Sequence, residues 1–330
     1  MTVINGIEID NIEYKTNHIK EAILNNDPIE EYLHVIAVIS NPCLFARRYI
    51  LMKQFIDRIE KYETHVKLYI VELAYKNQKF MITDAKNPKH LQLRSEVPLW
   101  HKENMINLGV QKLLPSNYKA FAWIDADLEF ESCTWAQDTL KILNGTKDIV
   151  QIFSHALDMN REELTMRNFN SAGYQFTKQF PFCGKGDNFW HPGFAWAITR
   201  KAYEKIGGLY ELGILGSGDN IMMFSLIGHG LKSINKESTE QYKDSIVLYE
   251  QKIKNLRFGY VPGVIRHYFH GTKANRKYTE RWQILINHEY DPYAHICYDK
   301  NGLLIPNIAT FPEELKSDIM KYFEERQEDD

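Results

Sequence analysis

The sequence predicts an α/β fold: a mixed, mostly parallel central sheet flanked by helices, in a single large domain. Three observations carry this expectation. The runs His34–Ser40 and Val66–Ala74 are continuously apolar, as strands buried on both faces are. Between them, Leu44 to Tyr62 repeats its apolar residues Phe45, Tyr49, Leu51, Met52, Phe55, Ile56 and Ile59 at helical spacing, which makes a strand–helix–strand crossover. Further on, the apolar run Phe121–Ile124 leads straight into Asp125 and Asp127. Ligands of open α/β sheets sit beyond the carboxyl ends of the strands, so an acidic pair there is placed for chemistry.

Taken in order, residues 1–30 form a short extension with one helix, Ile19 to Leu24. Asn41-Pro42 ends the first strand. Lys79 to Thr83 and His90 to Arg94 are short strand candidates, and Val97 to Leu114 is a helix with His101, Lys102, Glu103, Asn104 and Asn107 on its polar face. After Pro115-Ser116-Asn117 comes the Asp125/Asp127 strand, then a helix from Trp135 to Leu143 and a strand from Asp148 to Phe153. Residues 157–190 show little periodicity and read as a flexible loop, the kind that serves as a lid or binding loop. Phe194–Ile198 is apolar, Arg200 to Ile206 is a helix closed by Gly207-Gly208, and Gly213 to Gly218 is a second flexible stretch. Asp219 can cap a helix reaching Ile227. Asp244 to Lys254 is helical, and Gly259 to His270 runs through a strand to a histidine-rich end.

Composition narrows the function. The chain has 330 residues, 44% hydrophobic and 25% charged, ordinary for a globular protein. A net charge of −3 gives no basic field for nucleic acid. The four cysteines form no C-x-x-C pair, so neither a zinc ribbon nor a disulfide framework is expected. The N-terminus does not have the pattern of a signal peptide, and no apolar run approaches the ~20 residues of a membrane helix. A soluble, cytoplasmic protein is the expectation. Its wealth of Lys, Asn, Ile and Tyr fits an AT-rich genome such as that of a microbe or large virus, which would add host cytoplasm or virion as locations.

If the extended conformation continues past Ile124, alternation sends Asp125 and Asp127 to one side. Two hard oxygen ligands suit Mg²⁺ or Mn²⁺ with remaining ligands from substrate phosphates. The competing reading of the pair is an acidic turn in which Asp127 caps a helix.

In this order the pieces resemble the nucleotide-sugar-dependent glycosyltransferases of the GT-A fold, a Rossmann-like architecture, and among them the inverting family 2 and galactosyltransferase-like enzymes. The resemblance covers roughly residues 34 to 282. It rests on the first strand with Asn41-Pro42, on the helix Lys102-Glu103-Asn104-Met105-Ile106-Asn107-Leu108-Gly109, and on the D-x-D motif Asp125-Ala126-Asp127. A fourth block is His191-Pro-Gly-Phe-Ala-Trp196, Ile206-Gly-Gly-Leu-Tyr210 and Gly218-Asp219-Asn220. It departs from the family's Glu-Asp pair, because Gly218 stands in the first place and leaves one carboxylate.

The resemblance implies metal-dependent transfer of a hexose from a nucleotide sugar, UDP-linked, to a hydroxyl of a carbohydrate or other hydroxylated acceptor, with inversion. Mn²⁺ or Mg²⁺ is the implied ion. Asp127 would ligate it directly, and Asp125 would reach it through water or hold the ribose. His270, before Gly271, would be the distant third ligand; His267 reads better as a packed residue. Asp219 would be the general base, with the helix start favouring its ionised form. Its competing role is the helix cap. Asn41, Pro42, Glu72, Arg94, Lys102 and Asn104 are the candidate nucleotide contacts, and Lys273 is the candidate diphosphate contact. Trp190 and His191 border the acceptor, with ordinary core packing as the alternative.

By this reading, residues 31–153 form the nucleotide-sugar half, 154–290 the acceptor and catalytic half, and 291–330 a peripheral segment; the oligomeric state is not legible. Two other classes remain: a metal-dependent nucleotidyltransferase, and a non-catalytic sugar-binding module, which Gly218 would favour. A phosphatase of the aspartyl-phosphate type would want its acidic pair in the first strand.

Overall fold

The computed structural model describes residues 2–12, 16–26, 30–184, 189–272, 274–277 and 280–329. Leu33–Ser40, fully buried over its first half, pairs in parallel with Val66–Tyr75 on one side and Ala120–Ile124 on the other. These strands belong to a seven-stranded sheet ordered Phe258–Tyr260, Ile149–Gln151, Ala195–Thr199, Ala120–Ile124, Leu33–Ser40, Val66–Tyr75, His90–Ser95. Only Ala195–Thr199 runs against its neighbours; every other pairing in the sheet is parallel. The expected mixed, mostly parallel α/β architecture is therefore present. Successive strands step outward from Leu33–Ser40 in one direction and then, from Ala120–Ile124, in the other. That reversal creates a crevice at the carboxyl ends of these two strands.

Helices cover both faces. Ala46–Tyr62 buries Leu51, Met52, Phe55 and Ile59, and Lys102–Leu113 buries Met105, Ile106, Leu108 and Val110. Gly109 lets this second helix approach the sheet closely: a Cβ there would lie 3.0 Å from Val71 and 3.1 Å from Ile36. The helix is shorter than the expected 97–114. Residue 97 precedes Pro98, which disfavours helical backbone, and the Trp100 amide donates to the Ile214 carbonyl at 2.9 Å.

A second, five-stranded sheet is ordered Trp190–His191, Thr165–Ser171, His155–Met159, Val264–His267, Leu128–Phe130. Two corrections follow from it. The stretch 157–190, expected as a loop, contains the end of one strand, an antiparallel partner and the helix Ala172–Thr177, capped by Ser171. Periodicity fails there because Thr165, Met166, Arg167 and Asn168 are all exposed, so no apolar face alternates along the strand. The stretch 259–270, expected as one strand, is split at Pro262-Gly263 between the two sheets.

Smaller differences have local causes. Residues 79–83 are not a strand; they wrap the Glu72 carboxylate. The helix expected at 244–254 begins at Glu240, because Thr239 caps it by accepting from the Tyr242 amide. The segment after 290 is not peripheral. Its helix Glu313–Glu325 buries Leu315, Ile319, Tyr322 and Phe323 in the main core, and Asp329 accepts from the amides of Ala46 and Arg47.

Candidate active site

The two sheets meet at Asp125-Ala126-Asp127. Ala120–Ile124 delivers Asp125 from the large sheet, the chain turns, and Leu128–Phe130 enters the smaller one. The turn is held from outside: the Asp125 amide donates to the Phe194 carbonyl at 3.0 Å, and the Tyr268 amide donates to the Asp127 carbonyl at 2.8 Å. The strand thus does not continue through the pair as alternation requires, yet both carboxylates line one cleft of about 740 Å³ at the switch point.

On one wall, Asp127 Oδ2 lies 2.7 Å from His270 Nε2 and 3.6 Å from His267 Nε2. Burial would push the Asp127 carboxyl up, but His270 and His267 outweigh it and hold it well below the usual carboxylate range. Its Oδ1 is buried without a hydrogen-bond partner. Among the described residues, Asp127, His267 and His270 form a group that could hold a metal ion, with ligand atoms within 4.8 Å of one another. An orphaned carboxylate oxygen beside two imidazoles fits a divalent transition metal, since imidazole is a poorer ligand for Mg²⁺. His267, which the sequence presents as a packed residue, stands in this group beside His270.

On the opposite wall, Lys102 bridges the two acidic sites. Its Nζ is 2.6 Å from Asp125 Oδ1 and 3.1 Å from Asp219 Oδ2. Desolvation pushes the Asp125 carboxyl up to about 6, with Lys102 opposing and Asp127 and Asp219 adding to the rise. Asp219 sits in the first turn of Gly218–Leu226, but it is not the cap: Ser217 holds that position, at φ 75°, with no side-chain cap bond. The Asp219 carboxyl group instead faces the cleft. His191 lies beside it, stacked on Phe194 at 4.0 Å and accepting from the Gly193 amide at 3.2 Å.

Several expected contacts are used inside the fold instead. Asn41 is buried and exchanges hydrogen bonds with the Phe45 backbone, while the adjacent Pro42 does line the cleft. Glu72 accepts from the amides of Met81, Ile82 and Thr83 and from the Thr83 hydroxyl, so its carboxylate is satisfied away from the cleft. Arg94 donates to the Lys76 and Gln78 carbonyls. Asn104 ties Glu211, Gly302 and Leu304 together. Trp190 is buried in the main core against Phe182. Lys273 lies outside the described residues.

Sequence reading misses the cationic wall of the cleft, formed by Arg48, Arg276, Arg281 and Arg326. Arg276 Nη2 approaches His270 Nε2 at 2.8 Å, and Arg281 donates to Leu215 and Ser217. Arg48 and Arg326 clamp Glu328. It also misses Glu103, which burial, with Asp219 nearby, pushes up to about 8. A Cβ at Gly218 would lie 2.2 Å from Glu103 Oε1, so this carboxyl fills the space beside Gly218. The clustered arginines have no motif to mark them; they come from three separate stretches, around Arg48, around Arg276 and Arg281, and at Arg326.

No family model matches the sequence, and no curated protein does. Solved structures give distant likenesses. A mannosyltransferase from Pyrobaculum calidifontis in complex with GDP-Man and Mn²⁺ is 11% identical, with 83% of this chain and 70% of that chain covered and a TM-score of 0.39. A mutant of Drosophila β1,4-galactosyltransferase 7 in complex with manganese, UDP-Gal and xylobiose is 11% identical, with 87% and 98% covered and a TM-score of 0.38. The 4-diphosphocytidyl-2C-methyl-D-erythritol synthase from Anaerococcus prevotii is 11% identical, with 71% and 98% covered and a TM-score of 0.33. Among the described residues no helix is long and apolar enough to cross a membrane.

Proposed function

We propose that this protein is a metal-dependent glycosyltransferase of the GT-A type. It moves a hexose from a nucleotide sugar, UDP-linked in the first instance, to an acceptor hydroxyl with inversion. The observation that carries the reading is one cleft holding both an Asp–His–His cluster and a separate carboxylate, Asp219, at a helix start.

Breaking the bond between the anomeric carbon and a diphosphate builds negative charge on the phosphate and makes the sugar oxocarbenium-like. Mn²⁺ bound to Asp127, His267 and His270 would supply Lewis-acid stabilisation of that charge. Arg276, beside His270, adds cationic charge to the same cleft, and guanidinium matches phosphate in bidentate geometry. Asp219 takes the proton from the acceptor hydroxyl as it attacks. Lys102 stands between Asp219 and Asp125 and pairs with both carboxyl groups in a confined site. His191, beside Asp219, is positioned to border the acceptor.

The test is a thermal-shift titration of nucleotide sugars with Mn²⁺ and with chelator. A ligand at 100 times its Kd stabilises the native state by about 2.7 kcal/mol. The expected result is a Mn²⁺-dependent rise in Tm with one or two UDP-sugars, lost in Asp127→Ala. No shift with any nucleotide sugar under any metal would refute the proposal.

A further inference from the structure

Asp158 lies outside the cleft, on His155–Met159, and is buried. Parallel pairing with Val264–His267 puts Asp158 directly in register with His267. The register brings Asp158 Oδ1 to 2.7 Å from His267 Nδ1, while Nε2 of the same ring faces Asp127 Oδ2 at 3.6 Å. The imidazole is thus hydrogen-bonded to one carboxylate through Nδ1, while its Nε2 faces a second one across a gap too long for a hydrogen bond. A carboxylate on Nδ1 keeps the proton on that nitrogen and leaves the Nε2 lone pair for a cation. Phe194 packs against the ring at 4.7 Å between centroids, which restricts rotation. His270 is held differently: its Nδ1 is 3.7 Å from Glu328, beyond hydrogen-bonding distance, and Arg276 approaches both of its nitrogens.

We propose that Asp158 is a positioning residue for the metal site, fixing the tautomer and the orientation of His267 so that one imidazole ligand is ready before the ion arrives. The inference rests on reading Asp127, His267 and His270 as that site. His267 is the preorganised ligand, and His270, whose Nε2 lies 2.7 Å from Asp127 Oδ2, completes the set.

The experiment is calorimetric titration of Mn²⁺ into the full chain, wild type and Asp158→Asn, with the metal-free Tm of each recorded. Removing such an outer carboxylate weakens metal binding about ten- to hundredfold. That loss is expected in Asp158→Asn, while Asp318→Asn, which alters the remote His288 pair, leaves the Kd unchanged. Asp158→Asn binding Mn²⁺ within twofold of wild type overturns the positioning role and leaves the site reading intact. A folded wild type that takes up no Mn²⁺ overturns both. A second measurement needs no variant: ¹⁵N shifts of the metal-free wild type, recorded at a pH where His267 is neutral, should show its proton on Nδ1. A proton on Nε2 would overturn the inference.

Discussion

Glu328→Gln probes whether the segment after Glu313–Glu325 is a structural wall of the cleft. The Glu328 side chain is 1% exposed. Its Oε1 accepts from Arg48 Nη2 at 2.7 Å and from Arg326 Nε at 2.6 Å, and its Oε2 meets Arg48 Nε. Burial pushes the carboxyl up, but Arg48 and Arg326 outweigh it and hold it well below the usual range. Removing one partner of a buried ion pair costs about 3–5 kcal/mol, because the opposite charge stays buried. Two features move the expectation to the lower end. Arg48 is 24% exposed and keeps the Ser40 carbonyl, so water recovers part of its solvation. Arg326 keeps the Tyr322 hydroxyl and packs over Trp100. The expected loss is therefore about 3 kcal/mol, read as a lowered urea midpoint at unchanged m-value. A variant within about 0.5 kcal/mol of wild type, the range of ordinary surface substitutions, would refute the wall role.

Three further outcomes are expected. Burial pushes the His101 imidazole down to about 4, with the Leu304 and Leu99 carbonyls opposing. The unfolded chain takes up this proton near 6.5 and the folded chain only near 4, so this contribution is complete above 6.5 and lost as pH falls toward 4, by roughly 3 kcal/mol at most; urea midpoints at pH 7.5 and 4.5 for wild type and His101→Gln measure it. Gly218→Ala should destabilise by about 1–3 kcal/mol through overpacking against Glu103, and Glu103→Ala should relieve it, giving a favourable coupling in a double-mutant cycle. Asp219→Asn should lower kcat by about 10²–10⁴ while the donor-induced Tm shift persists, whereas Asp127→Ala should abolish both.

How much is legible follows from where each signal resides. Strands such as Leu33–Ser40 and Ala120–Ile124 are buried on both faces, so their identity is written in consecutive apolar residues. Thr165–Ser171 is exposed over its first four residues and carries no such mark. The acidic pair stands out because it follows directly on a buried strand; Lys102, read from the sequence as a nucleotide contact, pairs with Asp125 and Asp219. Asn41, Glu72 and Asn104 read as ligand contacts because polar residues at strand ends and helix starts are placed for binding. The same positions are where turns and helix packing demand hydrogen bonds, and all three are consumed there.

The wall that carries Asp127, His267 and His270 is the least legible part because it is tertiary. His267 and Asp158 are 109 residues apart and meet only through strand register, and Glu328 reaches the site from the far end of the chain. The geometry also divides the acidic pair. A continuous strand would present both carboxylates to one ligand, but the turn at Ala126 hands Asp127 to the smaller sheet, where His267 and His270 are, and leaves Asp125 with the larger sheet, facing Lys102. The two aspartates are thus divided between the two sheets. Lys102 links the end of the larger sheet to the helix Gly218–Leu226, touching Asp125 and Asp219 together. A change that loosens the packing of its helix, at Gly109 for example, should disturb the acidic pair without touching any residue of the cleft.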